Sequence, residues 1–214
     1  MSVYNLAANS YVLPTPSGAF YAASSPKKDV ARSVLFKLIS QNQSQLLSEG
    51  SLCFLTNSSN EDEALELVFR MQNLGWIQAE HNTRQAPEGK LIDTIPTLLP
   101  FLSSNQKALL ADPQGFYLAT HGFTHETAEE LSALSADIAA LHDRHRGLLQ
   151  NNVGLNSSAW AIVDGSANGQ LGFWPLYIGN LRFVLILSGM PQFNHPNFVN
   201  LIWVLNKRYS DPKS

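Results

Sequence analysis

The chain has 214 residues, 44% of them hydrophobic and 14% charged, and its 14 basic and 17 acidic side chains leave a net charge of -3. That charge is too small to steer the protein strongly toward nucleic acid or anionic lipid. The low charged fraction leaves much neutral surface, which suits partner binding.

The single Cys53 cannot form an intramolecular disulfide, and within Leu52-Cys53-Phe54-Leu55 it reads as a small buried hydrophobe of a reducing compartment. The segment Met1-Ser-Val-Tyr-Asn-Leu6 has no basic stretch followed by an apolar one. Neither a signal nor a transit peptide is expected, and no apolar run reaches the length of a membrane span. Cytoplasmic localisation without a membrane partner is the expectation.

Residues 1–24 carry Pro14, Pro16 and Gly18 without a helical period and read as an extended arm or loosely packed strand. Ser25-Pro26 predicts a helix start, with Ser as N-cap, and Val30, Val34 and Leu38 supply the buried face. A further helix is predicted from Ser59, where Ser59-Asn60-Glu61-Asp62 approximates a capping box, with Ala64, Leu67, Val68, Met71 and Leu74 at helical spacing. Gly75 ends it. Trp76 to Ala79 then reads as a strand, residues 81–89 as a loop, and Lys90 to Asp93 as the returning strand.

Helix, short helix, helix, two strands and a loop is the order of a winged-helix module, with residues 81–89 as the wing. A wing that binds DNA brings a basic face. Residues 1–98 hold seven Lys/Arg against nine Asp/Glu, and the would-be recognition helix opens on Glu61, Asp62 and Glu63. The first domain, 1–98, is therefore read as a packing or protein-binding module, and nucleic acid is not an expected partner.

Two strands, 107–112 and 116–120, flank Asp112-Pro113-Gln114-Gly115, the preferred chemistry of a type I turn. Thr124 then caps a long helix with Glu126, Glu129 and Glu130 early and His142, Arg144, His145 and Arg146 late, in keeping with the helix dipole. Leu131, Leu134, Ile138, Leu141 and Leu148 make one apolar stripe; Ala133, Ala136 and Ala140 make a second, of small residues, almost opposite. The alanine stripe fits either close approach by another element, making these three a candidate dimer interface, or plain helix propensity at solvent.

Three strands of a meander follow: 159–163, 170–178 and 181–187, with Asn168-Gly169 and Gly179-Asn180 as reversals. Pro175 predicts irregularity in the middle strand. Trp160, Phe173, Trp174, Tyr177 and Phe183 concentrate aromatic area there, either as core or as a recognition surface. Trp160, Phe173, Trp174 and Tyr177 are the candidate partner residues. A last helix follows Asn194-His195-Pro196, with Phe198, Leu201, Ile202 and Leu205 inward.

The order of residues 107–208 resembles the roadblock/dynein light chain family. The resemblance rests on Ala108-Leu-Leu-Ala-Asp112-Pro-Gln-Gly115-Phe-Tyr-Leu-Ala119-Thr-His-Gly122-Phe123, followed by Ala128-Glu-Glu-Leu131-Ser-Ala-Leu134-Ser-Ala136. It implies an α+β second domain, 99–214, with a five-stranded antiparallel sheet flanked by helices. It further implies a homodimer in which sheets join and long helices pair, and a non-catalytic regulatory or scaffold role toward a small Ras-like GTPase. The family's short members lack a domain like residues 1–98.

Catalytic signatures are missing from the sequence. No GxxxxGK[ST] run supplies a phosphate cradle, no HExxH or Cys pair completes a zinc site around the histidines, and no GxSxG elbow presents a serine. No catalytic residue, cofactor or metal is expected. Two alternatives stay open: a DNA-associated transcriptional regulator whose second half dimerises or senses, and a small-molecule sensor built on the aromatic meander.

Overall fold

The computed structural model describes Leu6 and residues 10–210; the reading of residues 1–5 and 7–9 as an arm lies outside the described residues. The elements in chain order are β1 (Tyr11–Pro14), α1 (Pro16–Ala23), α2 (Val30–Leu38), β2 (Gln45–Leu46), α3 (Glu49–Thr56), α4 (Glu61–Asn73), β3 (Ile77–Glu80) and α5 (Leu91–Leu98). After a 3-10 turn at Leu99–Leu102 come β4 (Ala108–Ala111), β5 (Tyr117–His121), α6 (His125–Arg144), a π turn at Gly147–Asn152, β6 (Trp160–Val163), β7 (Gly169–Ile178), β8 (Leu181–Ser188) and α7 (Pro196–Tyr209). The chain divides into two compact units, Met1–Glu88 with Phe193–Ser214, and Gly89–Gln192. This division differs from the expected boundary at residues 98 and 99: α5 goes with the second unit and α7 with the first.

In the first unit, α2 starts at Val30 rather than at Pro26, because Asp29 caps it. Its carboxylate accepts from the Arg32 N–H at 2.8 Å and pairs with the Arg32 guanidinium at 3.0 Å. Helix α4 is capped by Asn60, close to the expected start, and buries Ala64, Leu65, Val68 and Met71. A three-stranded antiparallel sheet in the order β2-β1-β3 completes the unit. The expected returning strand at 90–93 is instead the start of α5. The apolar residues Leu91, Ile95 and Leu98 recur at helical spacing over a longer window than four residues can reveal, with Ile95 and Leu98 buried. The third strand comes from β1, which sits in the middle of the small sheet.

Helix α7 is apolar nearly all round, and Phe198, Val199, Leu201, Ile202, Trp203, Val204 and Leu205 are all buried. Its buried polar groups find partners at the end of α2. The Trp203 indole donates to the Gln41 carbonyl at 2.9 Å, and the Asn206 amide donates to the carbonyls of Phe36 and Ile39 at 2.9 and 3.2 Å. The Phe36 carbonyl, in the last turn of α2, also accepts from the Ile39 N–H at 3.3 Å, and the Ile39 and Gln41 carbonyls lie just past the helix, so α7 closes the C-terminal end of α2.

The second unit is α+β, built on a five-stranded antiparallel sheet in the order β5-β4-β8-β7-β6. Strand β4 is buried at every position, as its inner place requires. The predicted hairpin is present. The Asp112 carboxylate accepts from the N–H groups of Gln114 and Phe116, each at 2.9 Å, and Gly115 adopts φ 88°, open to glycine at little cost.

Strand β7 stays in register with β8 from Leu171 through Ile178, so the irregularity expected at Pro175 is absent. Beyond Phe173 β7 has no β6 neighbour, an edge-like setting in which a missing N–H is tolerated. The register shift falls instead on β6, between Ile162 and Val163.

Candidate functional site

Helix α6 lies on one face of the larger sheet, over a core of Leu109, Ala111, Phe173, Val184 and Ile186. Its innermost line is Ala128, Ser132, Ser135, Ala139 and His142. Small residues allow the backbone to approach the sheet. The two serine hydroxyls are satisfied by back-bonding to the carbonyls of Ala128 and Ser132, at 2.8 and 2.7 Å.

The two predicted stripes are therefore flanks of that buried line, not its centre. On one flank Leu131, Ile138 and Leu141 are half-buried and Leu134 is exposed; Leu148, beyond the helix, is exposed as well. On the other flank Ala133 and Ala140 are exposed, while Ala136 is half-buried. That flank borders the β4–β5 hairpin: a Cβ built on Gly115 would lie 3.1 Å from that of Ala136.

Strand β6 pairs with β7 alone and ends the sheet. Ile162 and Val163 are 57% and 54% exposed, and the segment just before carries exposed Val153 and Leu155. The sequence marked this strand but not its exposure, because Trp-Ala-Ile-Val is as apolar as a buried strand; only the sheet order reveals an edge.

Strand β6 is tied to the helix by one polar contact, from the Trp160 indole N–H to His142 Nδ1 at 3.3 Å, with the rings edge to face. Beside it, Arg182 of β8 pairs with Asp143 at 3.0 Å, and Arg146 also bonds Asp143. Burial pushes the Asp143 carboxyl up, but the hydrogen bonds from Arg146 and Arg182 outweigh it and hold the group below the usual carboxylate range.

The candidate aromatic residues are not one surface. Trp160, Phe173 and Tyr177 share the α6 side of the sheet by register, and Trp174 points to the other side. Phe173 is buried and has no surface to offer a partner. Trp174 is half-buried with its ring over Gly172, where a Cβ would collide with it. Trp160 and Tyr177 are half-buried. Strand alternation could have predicted this split; which side carries the helix could not be read.

Among the described residues, no group of three or more His, Cys, Asp or Glu could hold a metal ion, and no helix is long and apolar enough to cross a membrane. His125 accepts or donates at 2.7 Å with the Tyr117 hydroxyl and lies 3.5 Å from Glu129. Both the imidazole and the carboxylate are exposed, and the second contact is an ordinary pair one helical turn apart.

No known family's sequence profile matches the chain, and a search among curated proteins gives no significant relative. Several solved structures are similar to part of it. One is a Roadblock/LC7 domain from Streptomyces avermitilis, 11% identical over 52% of this chain and 87% of that one, with a TM-score of 0.33. Another is Myxococcus xanthus MglB, 15% identical over 57% of this chain and 88% of that one, with a TM-score of 0.32. Scores this low carry no argument about function, so the chain is similar to roadblock structures in part and its role must be argued from its own surfaces.

Proposed function

We propose that the chain is a non-catalytic, cytoplasmic regulatory or scaffold protein that works as a homodimer and has a small Ras-like GTPase as its partner. The observation that carries the dimer is the unprotected edge β6. Exposed edge strands invite pairing with another chain, and proteins blunt them with lysine, proline or a covering element. Trp160-Ala-Ile-Val163 has neither residue, its last two side chains are exposed, and the leucine flank of α6 continues the apolar character. Two copies related by a twofold axis would pair β6 with β6 and bring those flanks together. The alanine flank, Ala133, Ala136 and Ala140, is the second place where helices could approach, although the chain's own hairpin already borders it.

The GTPase rests on the resemblance of residues 108–136 to the roadblock family and on the lack of a phosphate cradle in this chain, which leaves nucleotide binding to a partner. Residues 1–98 are proposed as a winged-helix-like module for packing or protein binding rather than for DNA, given their seven Lys/Arg against nine Asp/Glu.

Light scattering on the full chain tests the dimer. Twice the chain mass is expected, with Ile162→Lys returning it to the chain mass; a single-chain mass at every concentration would remove the proposal. The purified chain is expected to turn over no GTP, and measurable hydrolysis would contradict the non-catalytic role. A pull-down read by mass spectrometry should recover a small GTPase.

A further inference from the structure

We propose that the C-terminal end of α6 is a docking site for an acidic, partly apolar segment of a partner protein, received by Arg144, Arg146, Arg182, Trp160 and Tyr177. Residues 89–192 contain five Lys/Arg: Lys90, Lys107, Arg144, Arg146 and Arg182. Three of the five gather at one place, since Arg146 and Arg182 both pair with Asp143 and Arg144 follows it directly. The rest of those residues hold two cations against seven carboxylates. A negative partner is therefore repelled over most of this unit and attracted at one end of α6, which decides where it lands. The helix dipole accounts for Arg144 and Arg146 but not for Arg182, which comes from β8.

Asp143 sets two of the guanidiniums in place, and its bonds engage one nitrogen of each. A guanidinium carries five N–H donors in a planar fork, so both keep donors in the geometry that a visiting carboxylate accepts. Holding the forks in advance lowers the entropy lost when a partner binds. Arg144 is exposed, and among the described residues it pairs with no carboxylate. The next carboxylate along its face of the helix is Asp137, two turns back, at about 10 Å along the axis.

The surroundings select a protein segment rather than a polyanion. Tyr177 lies directly across from Arg182 in the β7–β8 register, and Trp160 reaches the same helix end through its bond to His142. Both rings are half-buried, which anchors them and leaves part of each to a partner. Leu148, one turn beyond Arg144, is exposed, as are Val153 and Leu155. The Leu155 N–H donates to the Leu149 carbonyl at 2.8 Å, so this apolar segment folds back onto the helix end. Trp, Tyr and Arg beside exposed apolar side chains is the composition of the energetic centre of a protein interface. Nucleic acid needs a longer run of cations to follow its phosphates, and an anionic membrane a cluster of about four to eight. Three arginines in an otherwise acidic unit supply neither.

Titration of the isotope-labelled full chain with an amphipathic Glu/Leu peptide of about 15 residues, followed by amide chemical shifts, tests this. The peptide should move the amides of residues 144–155, Tyr177 and Arg182, and a copy with Lys in place of Glu should not. Arg144→Glu should weaken binding about tenfold. Its melting temperature should stay that of the wild type, because Arg144 holds no carboxylate in place. Arg182→Lys keeps the charge without the fork and should lose less. The proposal is overturned by no binding at about 1 mM peptide, by shifts confined to other residues, by equal binding of the Lys copy, or by undiminished binding to Arg144→Glu. Tighter binding of duplex DNA or of phosphatidylserine vesicles through the same arginines would overturn the protein occupant. The site lies within one chain and rests neither on the dimer nor on the GTPase, and light scattering on the same samples reports the dimer separately.

Discussion

Helices α6 and α7 use apolar residues in opposite ways. Helix α7 hides seven apolar side chains and spends its buried indole and amide on closing the end of α2. Helix α6 buries alanine, serine and histidine and leaves leucines on a half-open flank. An apolar residue at a core position explains itself by packing, whereas one set beside a free sheet edge asks what covers it. Hence α7 reads as architecture, and α6 with β6 is the face we propose for interaction.

The comparison is broken most severely at α7. Trp203→Ala should cost about 3 to 5 kcal/mol, from lost burial, the cavity and the orphaned Gln41 carbonyl. Chemical denaturation measures the loss, and hydrogen exchange should place it in the first unit. A loss under about 1 kcal/mol would mean that α7 does not close α2 at all.

The two flanks of α6 separate at Leu134 and Ala136. Leu134→Glu is expected to weaken self-association at least about thirtyfold, some 2 kcal/mol at an interface centre, with little change in melting because the side chain is exposed. Ala136→Glu should leave the mass unaltered if the leucine flank is the one used. The reverse pattern by light scattering would move the interface to the alanine flank.

A smaller effect belongs to the hairpin. Asp112→Ala removes the acceptor for two backbone N–H groups and should cost about 1 kcal/mol in urea denaturation. Asp112→Asn keeps an acceptor and should recover most of it.

Strong local chemistry is what made parts of the molecule legible. Asp112 to Gly115, the Thr124 cap and the reversal at Gly179-Asn180 each act within a few residues, and the strands and helix they delimit are present; the other reversal falls on residues 165–167, closed by Asp164 and Asn168 with Ala167 at positive φ, just before the expected Asn168-Gly169. The misplacements have non-local causes. Lys90 to Asp93 is too short to distinguish a strand from the first turn of a helix. Tyr11–Pro14 becomes a central strand only because β2 and β3 come to either side of it. Helix α7 groups with the first unit because it completes α2, some 160 residues back in the chain. Of the candidate site, the apolar and alanine stripes of α6 were visible, but their status as flanks depends on a buried line of small residues that carries almost no hydropathy signal. The exposure of β6 depends on sheet order and had no sequence signal at all.

The pin between α6 and β8 supplies the finest test. Because Asp143 is held below the ordinary carboxylate range in the folded chain, its charge contributes stability above the unfolded value near pH 4, and that contribution is lost as pH falls through the lower folded value. The group is 42% exposed, so solvent screening limits the contribution to about 0.5 kcal/mol, and salt should reduce it further. Asp143→Asn should therefore lie about 0.5 kcal/mol below wild type in urea denaturation at pH 7, with the two converging toward pH 3. A gap that persists unchanged in acid would show that Arg182 and Arg146 hold the helix end by hydrogen-bond geometry rather than by charge. In that case the leucine flank is positioned by the same kind of neutral fit that seats α7, and the contrast between the two helices narrows to what each leaves exposed.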